Sequence, residues 1–315
     1  MQNKVTIETI NLVKKFGSLT AVSDLNLQVY EKEIFGLLGP NGAGKSTSIN
    51  MICGLLKSTS GEVLVMNEKI TKNKKVKSLI GVCPQENIFW PRLSCREQLL
   101  FMGKLYNLNQ KKAKQRSEEL LELLGLNEKS NTLGSKLSGG MKRRLNIGLA
   151  LVHDPPIIIF DEPEAGLDPQ SRILVRDYIK SLKKEKTVIL TTHNMDEADR
   201  LADRVAIIDH GKLLMLDTPG NLKQSIGDGD ILEIIFHNKN SEQSIANAIS
   251  QLLKISSHVH RANSTIVIKT KNLVEKLNDI TGILKSEQIE IKEFRMRENT
   301  LEDVFIHLTG RKLRQ

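Results

Sequence analysis

Residues 39–47 read Gly-Pro-Asn-Gly-Ala-Gly-Lys-Ser-Thr, and they follow directly on the short apolar stretch Ile34–Leu38. Glycines at 39, 42 and 44 let the backbone fold so that several N–H groups point inward at one small space. A helix predicted from Lys45 to about Leu56 aims its N-terminal dipole at the same space, which favours an anion there. The spacing fits GxxxxGK[ST], the pattern of a loop that cradles phosphate. Within it Lys45 is placed to reach the β- and γ-phosphates of a nucleotide, and the Ser46 hydroxyl to reach Mg²⁺. The context, an apolar strand before and a helix after, is a unit of α/β structure.

A second segment supplies the complementary chemistry. Ile157–Phe160 is apolar and ends in Asp161-Glu162-Pro163. A carboxylate at the C-terminal end of a buried parallel strand sits where α/β sheets bind ligands. Asp161 is suited to hold Mg²⁺, and Glu162 beside it to orient and polarise an attacking water. Thr187–Thr191 and Val205–Asp209 are further apolar runs that read as buried parallel strands. Val5–Leu12 and Ala21–Val29 alternate as strands, and Gly61–Met66 and Leu79–Cys83 are two more. Residues 94–125 and Leu137–Val152 carry leucines at helical spacing and predict a helical insert at about 86–152.

The turn cluster Gly227-Asp228-Gly229 marks a boundary between residues 1–227 and 228–315. Beyond it strands at Ile231–Phe236, Thr265–Lys269 and Ile289–Phe294 alternate with helices at Ser241–Leu253, Leu273–Lys285 and from about Thr300. This is a small α+β module. His258 and His260 alternate on a strand there, and with no third ligand nearby they read as an exposed face rather than a metal site.

Leu137-Ser138-Gly139-Gly140-Met141 opens a helix and offers a second anion-binding N-terminus, far from the first in sequence. This segment resembles the signature motif of ABC ATPases, and the rest of residues 4–225 then falls into that family's order. Phe16 before Gly17 resembles the aromatic residue that stacks on adenine. Gln85 after Pro84 resembles the glutamine that reports Mg²⁺ and γ-phosphate to the helical insert. Asp168 after Leu167 resembles the D-loop, and His193 after Thr191-Thr192 the switch histidine. Met141 stands where glutamine is frequent in the family, Glu164 where serine or threonine is frequent, and Phe16 where tyrosine is frequent. The phosphate ligands themselves are unchanged.

The resemblance implies a P-loop NTPase fold of the ABC cassette type and hydrolysis of ATP with Mg²⁺. Two cassettes would lie head to tail, each ATP held between Gly39–Thr47 of one chain and Ser138–Gly140 of the other. Glu162, His193, Gln85 and Lys45 would carry the chemistry, with Ser46, Gln85 and Asp161 as metal ligands. Thr300-Leu301-Glu302-Asp303-Val304-Phe305 is similar to exporter subunits of the drug-resistance and ABC-2 type. The implied partners are then a separate ABC-2-type membrane permease and a second cassette. The implied location is the inner face of the cell membrane, peripheral and cytoplasmic. An import cassette resembles the same core. A non-transport ABC ATPase acting on nucleic acid or ribosomes would usually carry two cassettes, or zinc or coiled-coil inserts. Here about 90 residues separate Thr47 from Leu137, without a CxxC.

Composition narrows the classes further. The net charge is +9, but the excess lies almost wholly in residues 1–225. Aromatic residues are only 4% of the chain, so platforms for stacking bases are scarce and no nucleic acid is expected. The run Lys72, Lys74, Lys75 and Lys77 reads as a solvated loop. Three scattered cysteines, Cys53, Cys83 and Cys95, make neither a disulfide framework nor a zinc site. Apolar runs stop at four or five residues where a spanning helix needs about 20, so no transmembrane segment is expected. Met1–Ile10 lacks the apolar centre of a signal peptide.

Overall fold

In the computed structural model, which describes residues 4–71, 74–226, 229–237, 239–256 and 258–310, the chain packs as two units, Met1–Pro219 and Gly220–Lys312. The boundary expected at 227/228 falls on Gly227 and Asp228, which lie outside the described residues, as does Lys72 of the lysine run. In chain order the first unit holds β1 (Val5–Phe16), β2 (Leu19–Tyr30), β3 (Ile34–Leu38), α1 (Lys45–Ile52), β4 (Ser60–Val65), β5 (Glu68–Lys69), α2 (Lys74–Lys77), β6 (Ile80–Cys83), α3 (Cys95–Leu105), α4 (Gln110–Leu123), α5 (Gly139–Leu151), β7 (Ile157–Asp161), α6 (Pro169–Leu182), β8 (Thr187–Thr192), α7 (Met195–Leu201), β9 (Arg204–Asp209) and β10 (Lys212–Asp217).

The apolar runs build a six-stranded sheet in the order β10-β9-β3-β8-β7-β6, parallel except for β10. Every residue of β3, β7 and β8 is buried, as strands covered on both faces must be. Period-two alternation divides β7 between two cores. Ile157 and Ile159 pack with Phe35, Ile49 and Ile189 on one face; Ile158 and Phe160 pack with Leu145, Ile147 and Leu190 on the other. Burying one such side chain stabilises the fold by roughly 1.5–3 kcal/mol. A separate antiparallel sheet, β2-β1-β4-β5, closes over the first core through Ile7, Leu12, Leu25 and Val63. Helices α3, α4 and α5, inserted between β6 and β7, build the second through Leu99, Leu120 and Leu145.

Three local features went beyond the pattern in the sequence. Strand β1 runs on to Phe16 because a bulge at Asn11 (φ 45°) absorbs the break in alternation. The helical stretch 94–125 is two helices: Asn107 turns left-handed (φ 61°), and the Asn109 side chain caps α4 by accepting from the Lys112 N–H at 2.8 Å. Strand β10 returns from β9 through a two-residue turn, His210-Gly211, both at positive φ.

Helix α8 (Pro219–Ser225) has its first residue in the first unit and the rest in the second, which also contains β11 (Asp230–Phe236), α9 (Glu242–Leu252), β12 (His258–Ala262), β13 (Thr265–Thr270), α10 (Leu273–Ser286), β14 (Ile291–Arg297) and α11 (Leu301–Thr309). Its antiparallel sheet runs β12-β13-β11-β14, with Leu232, Ile234, Ile266 and Ile268 packed against Ile245, Leu252, Ile280 and Leu284 of α9 and α10. His258 and His260 are exposed on the edge strand β12. The three cysteines are buried free thiols, and burial pushes that of Cys83 up to about 11. No helix among the described residues is long and apolar enough to cross a membrane.

Candidate functional site

Parallel pairing brings the carboxyl ends of four strands into line. Leu38 of β3 pairs with Thr192 of β8, Thr191 of β8 with Asp161 of β7, and Phe160 of β7 with Cys83 of β6. The residues just past these ends therefore share one edge: the loop Gly39–Gly44, Gln85, Asp161-Glu162 and His193. Two of the loop glycines are required by close approach. A Cβ on Gly39 would lie 2.2 Å from the Ile208 carbonyl oxygen, and one on Gly44, at φ 101°, 2.5 Å from that of Ala21. Gly44 caps α1 without any side-chain hydrogen bond, so the first-turn amides of Lys45, Ser46 and Thr47 have no partner within the helix.

Lys45 is 6% exposed. Its ammonium donates to the carbonyls of Gly39 (2.8 Å) and Pro40 (3.2 Å) and lies 3.7 Å from Glu162 Oε1. Burial lowers its pKa, against the opposing pull of Glu162 and Asp161. Asp161 accepts a short hydrogen bond from the Thr191 hydroxyl. Glu162, 6% exposed, stands at φ 50°, an uncommon conformation for a residue other than glycine. Its N–H donates to both the carbonyl (3.2 Å) and the hydroxyl (3.0 Å) of Thr191. His193 Nδ1 lies 2.7 Å from Glu162 Oε2. Lys45, Asp161, Glu162 and His193 thus form one cluster. Ser46 is exposed at the start of α1 and Thr47 partly so, while Asn41 and Gly42 are exposed in the loop and Ala43 is buried beneath it.

Among the described residues, the other expected ones make no hydrogen bond or ion pair within this cluster. Phe16 is 49% exposed at the end of β1, with Lys14 Nζ 4.9 Å from its ring centroid. Gln85 is exposed past the end of β6. Ser138 caps α5, its oxygen accepting from the Met141 N–H at 3.3 Å, which leaves its own proton to donate. Asp168 caps α6, accepting from the Ser171 N–H (3.0 Å) and hydroxyl (2.6 Å), and these bonds lower its pKa. Gly140 abuts that cap: a Cβ there would meet Ser171 Oγ at 2.6 Å. Among the described residues no hydrogen bond or ion pair joins Ser138–Gly140 to the Lys45 loop.

Sequence reading missed two side chains that shape this edge. Thr191 clamps both Asp161 and Glu162, and its place at a strand end opposite Asp161 was the available signal. Arg143, 2% exposed on α5, donates Nε to the Pro163 carbonyl (3.0 Å) and Nη2 to those of Asp161 (2.8 Å) and Glu162 (2.9 Å). Its Nη1 donates to Pro84 and to Gln85 (3.2 Å). A charged residue on the helical face shared with Ile147, Ala150 and Leu151 was the sign of it.

Residues 22–165 match the family described as ABC transporter. The linearmycin resistance ATP-binding protein LnrL of Bacillus subtilis is 38% identical over 311 residues, covering 98% of this chain and 99% of its own. The Nod factor export ATP-binding protein I of Sinorhizobium fredii is 34% identical over 315 residues, covering 99% of this chain and 88% of its own. The ATP-binding cassette MJ0796, solved as a dimer in a post-hydrolysis state with ADP and Pi, superposes with a TM-score of 0.62 at 28% identity. That match covers 67% of this chain and 98% of the cassette. A phosphate loop facing a carboxylate pair on one sheet edge is the geometry such a cassette needs, and with relatives that span almost the whole chain it places this protein in the ABC transporter family as an ATP-hydrolysing, ATP-binding subunit.

Proposed function

We propose that two copies of this chain pair head to tail and hydrolyse ATP to drive export through a separate ABC-2-type membrane permease. The observation that carries the reading is the split between two phosphate-seeking helix starts. The Lys45 loop and Ser138–Gly140 share no bond within one chain, so a second copy is the economical way to bring them to one nucleotide. The names of the relatives, linearmycin resistance and Nod factor export, support the direction of transport.

In this reading Gly39–Thr47 bind the ATP phosphates, Phe16 stacks on the adenine, and Ser138–Gly140 of the partner copy close over the γ-phosphate beside Asp168. Positioning and electrostatic stabilisation supply most of the catalysis. Lys45 exchanges its loop carbonyls for phosphate oxygens. Glu162 orients the attacking water and takes its proton, while His193, already against Glu162, holds the γ-phosphate side of that pair. The oxygen donors Asp161, Ser46 and Gln85 suit a hard divalent cation that keeps several waters. Mg²⁺ bound there would neutralise charge on the β- and γ-phosphates. An apolar groove lined by Leu55, Ile88, Trp90, Met102 and Tyr106 opens beside the Gln85 loop and fits a permease's cytoplasmic helix, which would hold the chain at the inner membrane face.

Co-expression with the permease gene tests this. A detergent-purified complex should hydrolyse ATP faster than the chain alone, and Lys45→Ala should silence both. A complex whose turnover survives that substitution would sink the reading.

A further inference from the structure

The guanidinium of Arg143 offers five N–H groups, and all five are used on backbone carbonyls of two separate loops. Pro84 and Gln85 lie just past β6; Asp161, Glu162 and Pro163 lie at the end of β7 and beyond it. Lysine, with three donors and no planar fork, cannot make this set. Glu162 is the residue at positive φ, and both its backbone polar groups are held: the N–H by Thr191, the carbonyl by Arg143. The neighbouring Arg144 faces the other way and donates to Leu124 (2.7 Å) and Gly125 (3.1 Å) at the end of α4. The two adjacent arginines therefore do different work: one caps a helix of the insert, the other binds the start of α5 to the hydrolytic edge.

We propose that Arg143 is a positioning residue through which phosphate seated at Ser138–Gly140 sets the Glu162 carboxylate and the Gln85 loop of the same chain. Helix α5 is buried along most of its length, so a shift at Ser138 carries the guanidinium, about one and a half turns along, with it. The five carbonyls must move too or lose their donors inside a buried space. On the head-to-tail reading, on which this inference rests, the phosphate at Ser138 belongs to the ATP held by the partner's Lys45 loop. Arg143 then links occupation of one ATP site to chemistry at the other.

The test is ATP hydrolysis by the purified full chain across ATP concentration. The unmutated chain should give a Hill coefficient approaching about two for its two linked sites. Arg143→Gln removes the charge, keeps two of the five donors and is two bonds shorter. It should lower kcat at least about tenfold, as expected for a misplaced catalytic group. Its Hill coefficient should fall to about one, with the half-saturating ATP concentration within about threefold of the unmutated value. Arg143→Lys should fall between. Arg144→Gln should lower the melting temperature but leave the Hill coefficient alone, which separates coupling from plain stability. A folded Arg143→Gln protein with unmutated kcat and cooperativity would overturn the inference while leaving the two-copy reading intact. A non-cooperative unmutated chain would remove that reading, and the coupling with it. Should the Arg143 variants not fold, amide exchange on the unmutated chain decides. The amides of 85, 86, 161, 162 and 164 should gain protection at the same ATP concentration as 138–143, and protection of 161, 162 and 164 while 138–143 stay open would overturn it.

Discussion

Helix α1 is capped by a glycine and helix α5 begins with one, and both lack acidic residues in the first turn, yet they are built in opposite ways. Gly44 caps α1 at φ 101° and contributes no side chain, so the bare amides of the first turn are kept open by the sheet, which fixes the loop through Gly39 and Gly44. Ser138 caps α5 from an ordinary extended conformation and closes one of its amides with its own oxygen. The α1 start also holds a buried cation and a facing carboxylate; at the α5 start the buried Arg143 is spent on loop carbonyls and Asp168 on capping α6. The first is a nearly complete anion site anchored in the core. On the proposed head-to-tail reading the second is a lid edge, complete as a piece of helix, that gains its ligand from the other copy. The pair teaches that a helix N-terminus becomes a strong phosphate site through what fixes and charges its surroundings, not through the dipole alone.

The most severe way to break this comparison is to remove the charge from the anchored start. Lys45→Ala takes away the buried ammonium and leaves Glu162 and Asp161 without that neighbouring cation. Hydrolysis, measured by phosphate release, should fall by about 10² to 10³ or more, and ATP binding by equilibrium titration should weaken as well. Binding and turnover that both persist would mean the nucleotide sits elsewhere.

Glu162→Gln should leave binding intact and stop chemistry. Loss of a general base lowers kcat by about 10² to 10⁴, so ATP should accumulate between two copies and the protein should elute as a dimer in ATP. Adding Ser138→Arg places a bulky cation at the lid edge and should abolish that dimer without unfolding the chain. A Glu162→Gln protein that stays monomeric in saturating ATP and turns over normally would place the base on another residue, with His193 first to test.

A milder change probes whether either start depends on the second unit. Removing residues 228–315 takes away no residue of the Lys45 cluster or of the α5 start. ATP affinity should stay within about threefold, while dimerisation of the Glu162→Gln background weakens. Loss of ATP binding by a folded truncated chain would show that the second unit supports the loop directly.

The anchored start was legible in the sequence because its requirements are local: glycine where a Cβ would strike Ile208 or Ala21, lysine and serine at fixed offsets, and an apolar strand before and a helix after. Asp161, Glu162 and His193 were legible because each ends an apolar run. The ties between segments were not. Arg143 meets carbonyls 18 to 20 residues ahead and 58 to 59 behind, and backbone carbonyls leave no mark in a sequence. The bulge at Asn11 and the break at Asn107 were hidden for a related reason. A single residue at positive φ interrupts a periodicity, but the interruption alone does not say whether the strand or helix resumes beyond it.

The smallest expected effect lies at Glu164, on the loop that Arg143 holds through Pro163. Both Glu164 oxygens are buried and accept no hydrogen bond. Arg176 approaches only to 3.7 Å, because its guanidinium is committed to Glu197 at 3.0 and 2.6 Å. Burial, and then the neighbouring Glu197 carboxylate, raise the Glu164 pKa from 4.5 to about 7, against the pull of Arg176 and Arg172. A carboxyl with a raised pKa binds its proton more tightly in the folded chain than in the unfolded one. Its contribution to stability is therefore fully present below about pH 4.5 and is lost as pH rises through about 7. Glu164→Gln stays neutral throughout and escapes that loss. Its melting temperature should match the unmutated chain at pH 5 and exceed it by about 2 to 4 °C at pH 8. The Lys45 cluster is untouched by this substitution, so ATP affinity should hold at both pH values. A melting difference that stays flat from pH 5 to pH 8 would show that Glu164 remains ionised across the range and that Arg176 pairs with it after all.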